Sequence, residues 1–273
     1  MGVVGMHAYV INLARSPERR VQVTANLDSC GVDYEIFTAI DALELDLAGL
    51  AAAGEIDPAA QGKLLSGEVG CALSHVSVYR KILADGLESA LILEDDIIAP
   101  QELIAIADAV AGYLEGAEIA LLCFDSKEVV QVSKVGAIDL PGNRQLVTPV
   151  DVRQPVSAAA YVITREACAQ MVERAFPIQT AADDWAHFVR AGGIDRLRCV
   201  VPLAVRKHPG FGSTIDYYSA SSVKARALAL IDRLGFGVVQ RIVAYRRDRI
   251  WRRYTRVEFV DDDPSTSVPS RRG

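Results

Sequence analysis

The chain has 273 residues, of which 51% are hydrophobic and 23% charged, so most of it has enough apolar material to fold, and extensive disorder is excluded. No apolar run approaches the roughly 20 residues that a membrane-spanning helix needs, and the N-terminus shows no secretory leader, which predicts a cytoplasmic protein. Residues 1–223 carry 17 Lys and Arg against 29 Asp and Glu, a balance that excludes general nucleic-acid binding. The five scattered cysteines form no CxxC pair, so their spacing predicts neither a zinc site nor disulfides.

Short apolar segments alternate with helical segments along the first half of the chain. Ser16 can cap a helix and Pro17 suits its first position, and Gly86 is a typical helix stop. The predicted strands are 7–13, 34–40, 90–96 and 118–124. The predicted helices run from Ser16 to about Gly31, from about Ser66 to Gly86, and onward from Pro100.

The second half continues the alternation after an insertion. Residues 128–150 alternate polar and apolar positions around a Pro-Gly-Asn turn and predict a hairpin. Strands at 158–164 and 199–205 and helices at 164–174 and 183–191 follow. We therefore predict an α/β fold with a mostly parallel sheet and helices on both faces. The predicted domains are a catalytic body (1–222), a basic amphipathic helical tail (223–256) and a disordered end (257–273).

Three acids, Glu94, Asp95 and Asp96, directly follow a fully apolar strand. Ligands of open α/β sheets collect beyond the carboxyl ends of the strands, and neighbouring acids repel one another unless a cation is present. A hard divalent ion that also binds phosphate oxygens would satisfy them. The alternative is a solvated acidic loop, and the cluster alone does not separate a nucleotide-sugar transferase from a metal-dependent phosphatase.

The helix predicted from residue 67 to 84 carries polar groups on one face. Helical spacing aligns Glu68, Cys71, His75 and Tyr79, so that His75 and Glu68 could position a phosphate, a metal-bound water or a sugar hydroxyl. Spacing alone favours the alternative, in which His75 is a hydrogen-bonded core histidine and Ser74 bonds back to its own helix.

Several motifs together resemble glycosyltransferase family 25, which includes lipooligosaccharide and lipopolysaccharide biosynthesis transferases. The matching segments are VINLARSPERR (10–20), GEVGCALSH (67–75), LILEDD (91–96), AAYVITREAC (159–168) and KHPGFGSTI (207–215). The resemblance implies a Rossmann-like glycosyltransferase A-type fold, a UDP-sugar donor (usually UDP-galactose), a glycolipid or oligosaccharide acceptor and transfer with inversion.

Roles can also be predicted for individual residues, from the resemblance for the acidic cluster and from position along the chain for the others. The acidic cluster would bind the donor diphosphate through Mn²⁺ or Mg²⁺, with Asp96, Glu94 and His208 as metal ligands. The residues expected to bind the donor are Asn12, Arg15, Arg19, Glu68, Ser74, His75, Glu94, Asp95, His208 and Ser213.

An inverting transferase needs a carboxylate that takes the acceptor proton. Asp183 and Asp184 are the candidates, because they open a helix whose dipole favours the ionised form, and Trp185 offers a face on which a sugar can stack. The alternative for Asp183 is an ordinary helix cap. The sequence does not choose between the two acids.

The basic segment 224–256 carries 10 Lys and Arg against 2 Asp and Glu among Leu, Ile, Val and Trp. This pattern predicts a helix pair on an anionic membrane surface, on the inner face of the cytoplasmic membrane, near a membrane-embedded acceptor. The alternative is a helix packed on the acidic body. Two other functions stay open: a metal-dependent hydrolase, for which four histidines offer few ligands, and a non-catalytic nucleotide-sugar-binding protein.

Overall fold

Strands and helices alternate along the chain. The computed structural model describes residues 6–211 and 255–262. Within these residues the strands are β1 (Ala8–Asn12), β2 (Tyr34–Thr38), β3 (Ser89–Glu94), β4 (Ile97–Ile98), β5 (Glu118–Asp125), β6 (Val130–Leu140), β7 (Arg144–Pro149), β8 (Val156–Thr164), β9 (Arg196–Val201), β10 (Arg206–Lys207) and β11 (Val257–Val260). The helices are α1 (Pro17–Ser29), α2 (Leu47–Ala52), α3 (Ser66–Ala84), α4 (Leu103–Ala111), α5 (Arg165–Arg174) and α6 (Trp185–Ala191). None of these helices combines the length and hydrophobicity that crossing a bilayer requires.

One nine-stranded sheet organises the described residues, with the strand order β11-β6-β7-β9-β5-β8-β3-β1-β2. Strands β7 and β8 run opposite to the other seven, because each pairs antiparallel with both of its neighbours. The predicted α/β class is confirmed, and the sheet is mixed, since β8 separates β3 from β5. All the strands and helices expected between residues 7 and 205 are present, whereas α2, β4, β10 and β11 were not predicted.

Two apolar cores lie on opposite faces of the sheet. Successive residues of β1 alternate between them, with Tyr9 and Ile11 in one core and Val10 in the other. Helices α3, α5 and α6 pack into the first core, and α1 and α4 pack into the second. Because β1 is covered on both faces, all of its residues are buried, and those before Asn12 are apolar. Helices therefore cover both faces, as predicted.

The acidic cluster and the end of β1 meet at one edge of the sheet. Strands β1 and β3 are parallel neighbours, and Ile11 pairs with Glu94, so both strands deliver their last residues to the same edge. Helix α3 closely approaches the loop after β2 there. A Cβ atom at Gly70 would lie 3.0 Å from the Ile40 carbonyl oxygen, so a larger residue there would push the loop backbone away from the helix.

The end of the chain differs from the prediction. The hairpin of β6 and β7 is confirmed, but it joins the main sheet, and β11 pairs with β6 in parallel. The Ser133 hydroxyl donates to the Asp262 carbonyl oxygen at 2.6 Å, and Val257 packs against the core. Disorder over 257–273 is therefore wrong for β11, because the open edge of β6 accepts a short apolar strand. The predicted tail at 223–254 and the boundary after residue 222 lie outside the described residues.

Candidate active site

A cavity of about 360 Å³ opens at the carboxyl ends of β1 and β3. Its walls come from these strand ends, the loop after β2, the first turns of α3 and the segment before α6. The predicted site residues that line it are Arg15, Arg19, Glu68, Ser74, His75, Glu94, Asp95, Asp96 and Asp183. Ligands of α/β proteins bind at this edge of the sheet, and the fold brings most of the predicted residues to one cleft.

Asp95, the middle acid of the cluster, is held by protein groups. Its Oδ2 accepts a hydrogen bond from Asn12 Nδ2 at 2.7 Å, and its Oδ1 lies 3.0 Å from Arg19 Nη1. All three residues are buried. The Arg19 guanidinium also lies over the Phe211 ring, 5.1 Å from its centroid. Asn12 and Asp95, both predicted to bind the donor, therefore fix each other and the position of Arg19.

Glu94, the first acid, ends β3 and faces α3 across the cavity. Its Oε1 lies 3.6 Å from His75 Nε2 and 4.0 Å from Cys71 Sγ. Burial raises the pKa of Glu94, but His75, Lys207 and Arg19 together outweigh it, and the pKa is lowered overall. Glu94 therefore brings a carboxylate charge to the cavity.

Asp96, the third acid, has an incompletely satisfied carboxyl group. Its Oδ1 is buried and makes no hydrogen bond with the described part of the chain. Burial and the neighbouring Glu94 raise the pKa of Asp96 to about 7, although Arg19 and Lys207 oppose the shift. Arg19 Nη1 is 3.7 Å from Asp96 Oδ2. Asp96 therefore holds its proton more tightly than an ordinary aspartate, and a cation beside it would favour the ionised carboxylate.

Lys207 lines the cavity and was not predicted. The short ladder of β10 and β4 pairs Lys207 with Ile97, next to the acidic cluster. Its Nζ lies 2.7 Å from Asp125 Oδ2 at the end of β5. Burial alone would lower the pKa of Lys207, but the opposing effect of Asp125, Glu94 and other anionic groups is larger. The pKa is therefore raised overall and the ammonium is charged. The sequence signal was the position of Lys207 directly before His208 in a matching motif.

The acidic pair before α6 divides into two roles. Asp184 is the helix cap: its Oδ1 accepts from the His187 backbone N–H at 3.0 Å and its Oδ2 accepts from the Thr180 hydroxyl at 2.7 Å. Asp183 lines the cavity instead. Burial and the negative charge of Glu94 raise the pKa of Asp183. The geometry therefore favours Asp183 over Asp184 as the group that meets a substrate.

The polar face of α3 contributes unequally to the cavity. Glu68 Oε2 accepts a hydrogen bond from the Leu65 backbone at 2.8 Å. The Ser74 hydroxyl donates to the Gly70 carbonyl oxygen at 2.7 Å and accepts from the Ile40 N–H at 2.9 Å. Both side chains thus have local structural partners, and for Ser74 this is the alternative stated above.

His75 is buried but only partly satisfied. Its side chain is 2% exposed, and its Nδ1 lies 2.7 Å from the Tyr161 hydroxyl, which in turn lies 2.8 Å from the Tyr79 hydroxyl. Its Nε2 makes no hydrogen bond within the described residues. The expected core histidine is therefore anchored on one nitrogen and directs the other towards Glu94.

The other predicted ligands are held by neighbouring groups or lie beyond the described residues. Arg15 Nε donates to Asp41 Oδ2 at 2.6 Å. The His208 backbone N–H donates to the Asp96 carbonyl oxygen. The side chain of His208 is directed elsewhere, because its Nδ1 accepts from the Gly210 N–H at 3.1 Å. His208 is thus attached to the acidic cluster through its backbone. Ser213 lies outside the described residues.

The predicted sugar-stacking role of Trp185 is wrong. This side chain is only 1% exposed and packs edge-on against Tyr161, with ring centroids 5.4 Å apart. Its Nε1 donates to the Ser157 carbonyl oxygen at 3.3 Å. The apolar side of α6 must face the core, so the indole is placed there and is closed to substrate.

Comparison with known proteins gives partial matches to curated relatives. A protein of Aedes aegypti named "Glycosyltransferase 25 family member" is 41% identical over 103 residues, which are 36% of this chain and 17% of that protein. "Inactive glycosyltransferase 25 family member 3" of Homo sapiens is 35% identical over 33% of this chain and 16% of its own length. "Procollagen galactosyltransferase 2" of Mus musculus is 34% identical over 33% of this chain and 15% of its own length. The matched part thus spans about a sixth of these relatives.

A family model covers more of the chain. The model described as "Glycosyltransferase family 25 (LPS biosynthesis protein)" matches residues 6–186. This range begins just before β1 and includes α3, the acidic cluster and Asp183, so it contains most of the cavity lining. The chain belongs to glycosyltransferase family 25.

Proposed function

We propose that this protein transfers a hexose from a UDP-sugar to a saccharide acceptor. The observation that carries the proposal is the placement of Glu94 and Asp96, at the end of a buried strand, in the same cavity as Asp183. Two outer carboxylates suit a cation-bound diphosphate, and a third suits the acceptor hydroxyl. Family membership supports the same reaction class.

A divalent cation fits the outer acids of the cluster. The Asp96 carboxyl has an oxygen without a hydrogen-bond partner in the described chain, and Glu94 adds a second carboxylate beside it. Hard oxygen ligands favour Mn²⁺ or Mg²⁺, and such an ion would stabilise the charge of a departing diphosphate. His208 would join as a third ligand only after Nδ1 releases the Gly210 N–H.

Asp183 is proposed to act as the general base. It accepts the proton of the acceptor hydroxyl as that oxygen bonds to the anomeric carbon and the bond from this carbon to the UDP oxygen breaks. Attack opposite the leaving group inverts the anomeric centre. The raised pKa of Asp183, which burial and Glu94 cause, makes its carboxylate a stronger base than an exposed aspartate.

Cationic side chains would hold the donor phosphates. Lys207 lies at the acidic cluster, and Arg15 and Arg19 line the cavity near β1. The ammonium of Lys207 can pair with a phosphate oxygen while it keeps Asp125 as a neighbour. A matched pair, Lys207→Met and Lys127→Met, tests this role, because Lys127 is an exposed lysine outside the cavity.

The donor sugar and the acceptor are proposed from the family. The family description names lipopolysaccharide biosynthesis, and one relative is named a galactosyltransferase. We therefore propose UDP-galactose and a lipopolysaccharide- or lipooligosaccharide-type acceptor. A second candidate is a non-catalytic nucleotide-sugar-binding protein, which the name of the inactive human relative favours.

A UDP-release assay separates these functions. The full chain is incubated with UDP-galactose and Mn²⁺, with and without truncated lipooligosaccharide. We expect release that depends on the acceptor; release without acceptor indicates hydrolysis, and UDP-galactose binding without release indicates the non-catalytic protein. Asp96→Ala should abolish release, whereas Asp139→Ala in the remote hairpin should not. Unchanged turnover in Asp96→Ala would contradict the metal assignment.

The basic segment 224–256 is proposed to bind an anionic membrane surface at the inner face of the cytoplasmic membrane. Its net charge of +8, from 10 basic and 2 acidic residues, favours such a surface by about 1 kcal/mol for each nearby basic residue. Flotation of the full chain with phosphatidylserine vesicles tests this. Exchange of Arg246, Arg247, Arg252 and Arg253 for Gln should reduce flotation, and neutral vesicles should leave the protein unbound.

A further inference from the structure

Three side chains of different chemistry converge inside the cavity. The Cys71 sulfur, the His75 Nε2 and a Glu94 carboxylate oxygen all lie within 4.8 Å of one another. Cys71 and His75 are one helical turn apart on α3, and β3 places Glu94 opposite them. The sequence spacing of the cysteines gave no sign of this group, because its third member belongs to a distant strand.

The second observation is that His75 Nε2 is buried without a hydrogen bond within the described residues. The ring is 2% exposed, its Nε2 has no hydrogen bond within the described residues, and Glu94 Oε1 is 3.6 Å away. The Tyr161 and Tyr79 hydroxyls can both rotate, so Nδ1–H can donate to Tyr161 while Tyr161 donates to Tyr79. A cation that replaces the proton between Nε2 and Glu94 would then bind an imidazole whose opposite nitrogen is already anchored, as at many metal-binding histidines.

We propose that Cys71, His75 and Glu94 bind a thiophilic divalent cation, with Zn²⁺ as the best match. The ligand atoms would be Sγ, Nε2 and Oε1, and the fourth position would face the cavity. Tetrahedral Zn²⁺ with ordinary bond lengths holds such atoms about 3.3–3.6 Å apart. The structure has 3.6 Å from Nε2 to Oε1, 4.0 Å from Sγ to Oε1 and no more than 4.8 Å from Sγ to Nε2, so the Cys71 side chain must rotate inwards for all three atoms to bind one ion. Binding releases the thiol proton to solvent.

This site differs in chemistry from the Mn²⁺ or Mg²⁺ site of the proposed function. Sulfur and imidazole ligands select Zn²⁺, whereas the paired carboxylates of Glu94 and Asp96 suit harder ions. Glu94 belongs to both ligand sets and cannot serve both ions fully. If the proposed function holds, Zn²⁺ therefore inhibits transfer by withdrawing Glu94 from the donor site.

Inhibition is tested with Mn²⁺ present and with each variant compared with its own zinc-free rate. We expect Zn²⁺ to reduce UDP release by the wild type and to affect Cys71→Ser at least about tenfold more weakly, since thiolate loss removes the soft ligand. A wild-type rate that is unchanged when the site is filled would overturn the competition.

Binding is tested without any sugar transfer, so that its failure and the failure of the proposed function are distinguishable. The metal-free full chain is titrated with Co²⁺, whose thiolate complexes absorb by charge transfer, and Zn²⁺ is then added. We expect a thiolate band that Zn²⁺ removes, its absence in Cys71→Ser, and its retention in Cys30→Ser, the matched control with a partly exposed cysteine outside the cavity. Circular dichroism checks that Cys71→Ser is folded.

A measurement on the wild type avoids dependence on the variant. Zn²⁺ should slow alkylation of Cys71 by iodoacetamide and leave Cys30 unaffected, as followed by peptide mass spectrometry. Absence of the cobalt band in the wild type, persistence of the band in Cys71→Ser, or equal alkylation of Cys71 with and without Zn²⁺ would each overturn the proposed site.

Discussion

Adjacent acids occur in two segments of the cavity wall, at the end of β3 and before α6, and in each segment one acid is held by protein partners while another is open to the cavity. At β3 all three acids line the cavity, but both carboxylate oxygens of Asp95 are bound by Asn12 and Arg19, whereas Glu94 and Asp96 are not held in this way. Before α6, Asp184 caps the helix and Asp183 faces the cavity. The segments differ in what holds these acids. Asp95 is paired with a buried guanidinium, whereas Asp184 accepts hydrogen bonds from a backbone N–H and a hydroxyl.

This difference shows what each structural acid does for the site. Asp95 lies nearer to the buried Arg19 guanidinium than Asp96 does, so its loss would weaken the electrostatic balance of that cation. Asp184 accepts a hydrogen bond from one backbone N–H of the helix, and another capping side chain can take over this role. The site at β3 therefore depends on charge, whereas the site at α6 depends only on hydrogen-bonding capacity.

The largest expected effect contrasts the two acids before α6. Asp183→Asn should lower kcat by about 10²–10⁴-fold, because an amide cannot take the acceptor proton. Asp184→Asn, the same change one residue later, should lower it less than about threefold, since asparagine caps helices as well as aspartate does. Acceptor-dependent UDP release under saturating donor measures both. Equal losses in the two variants would refute the division of roles.

The next effect concerns the buried pair at β3. Asp95→Ala should reduce the free energy of unfolding by about 3 kcal/mol, the lower end for breaking a buried ion pair, because Asp96 Oδ2 stays 3.7 Å from Arg19. Urea unfolding of the metal-free protein measures this loss. A loss under about 1 kcal/mol would show that Arg19 does not need Asp95.

A smaller loss is expected at the helix cap. Asp184→Ala should reduce the free energy of unfolding by about 1 kcal/mol, since it removes one capping interaction. Asp184→Asn should recover most of this loss in the same urea experiment. If asparagine fails to recover it, the negative charge of Asp184, and not its hydrogen bond, stabilises α6.

The smallest effect has the opposite sign. The pKa of Asp183 is raised in the folded protein by burial and Glu94, so the folded state holds this proton more tightly than the unfolded state. Stability from this group is therefore lost as pH rises from the unfolded pKa, about 3.9, through the raised folded pKa. Asp183→Asn lacks the penalty and should melt a few degrees higher than the wild type near pH 7. The gain should shrink near pH 4; a gain that is the same at both pH values would contradict the cause.

Much of the fold could be predicted from the sequence because the central strands β1, β3, β5 and β8 are buried on both faces and are therefore mostly apolar. β1 and β3 are recognisable for this reason, and so is the cluster that ends β3. β11 and β4 are too short and too dependent on their partners to leave such a pattern. β11 forms because it pairs with the open edge of β6, and β4 forms because it pairs with β10.

The residues of the candidate site could be predicted, but not which of them are held by protein partners. The motifs indicated the acidic cluster and the pair before α6. Only the structure shows that Asp95 and Asp184 are hydrogen-bonded or paired with other protein groups. Lys207 was missed because a two-residue ladder brings it to the acids. Trp185 was misassigned because a residue close in sequence to Asp183, which lines the cavity, can still direct its side chain into the core.

The pairing of β11 with β6 has a practical consequence for truncation. A shortened protein that stops at residue 222 would lack the strand that covers the β6 edge, and an uncovered strand edge is a template for aggregation. Loss of vesicle binding in such a fragment would then mix membrane attachment with damage to the sheet. The role of the basic segment is therefore better tested by charge substitution in the full-length chain than by deletion.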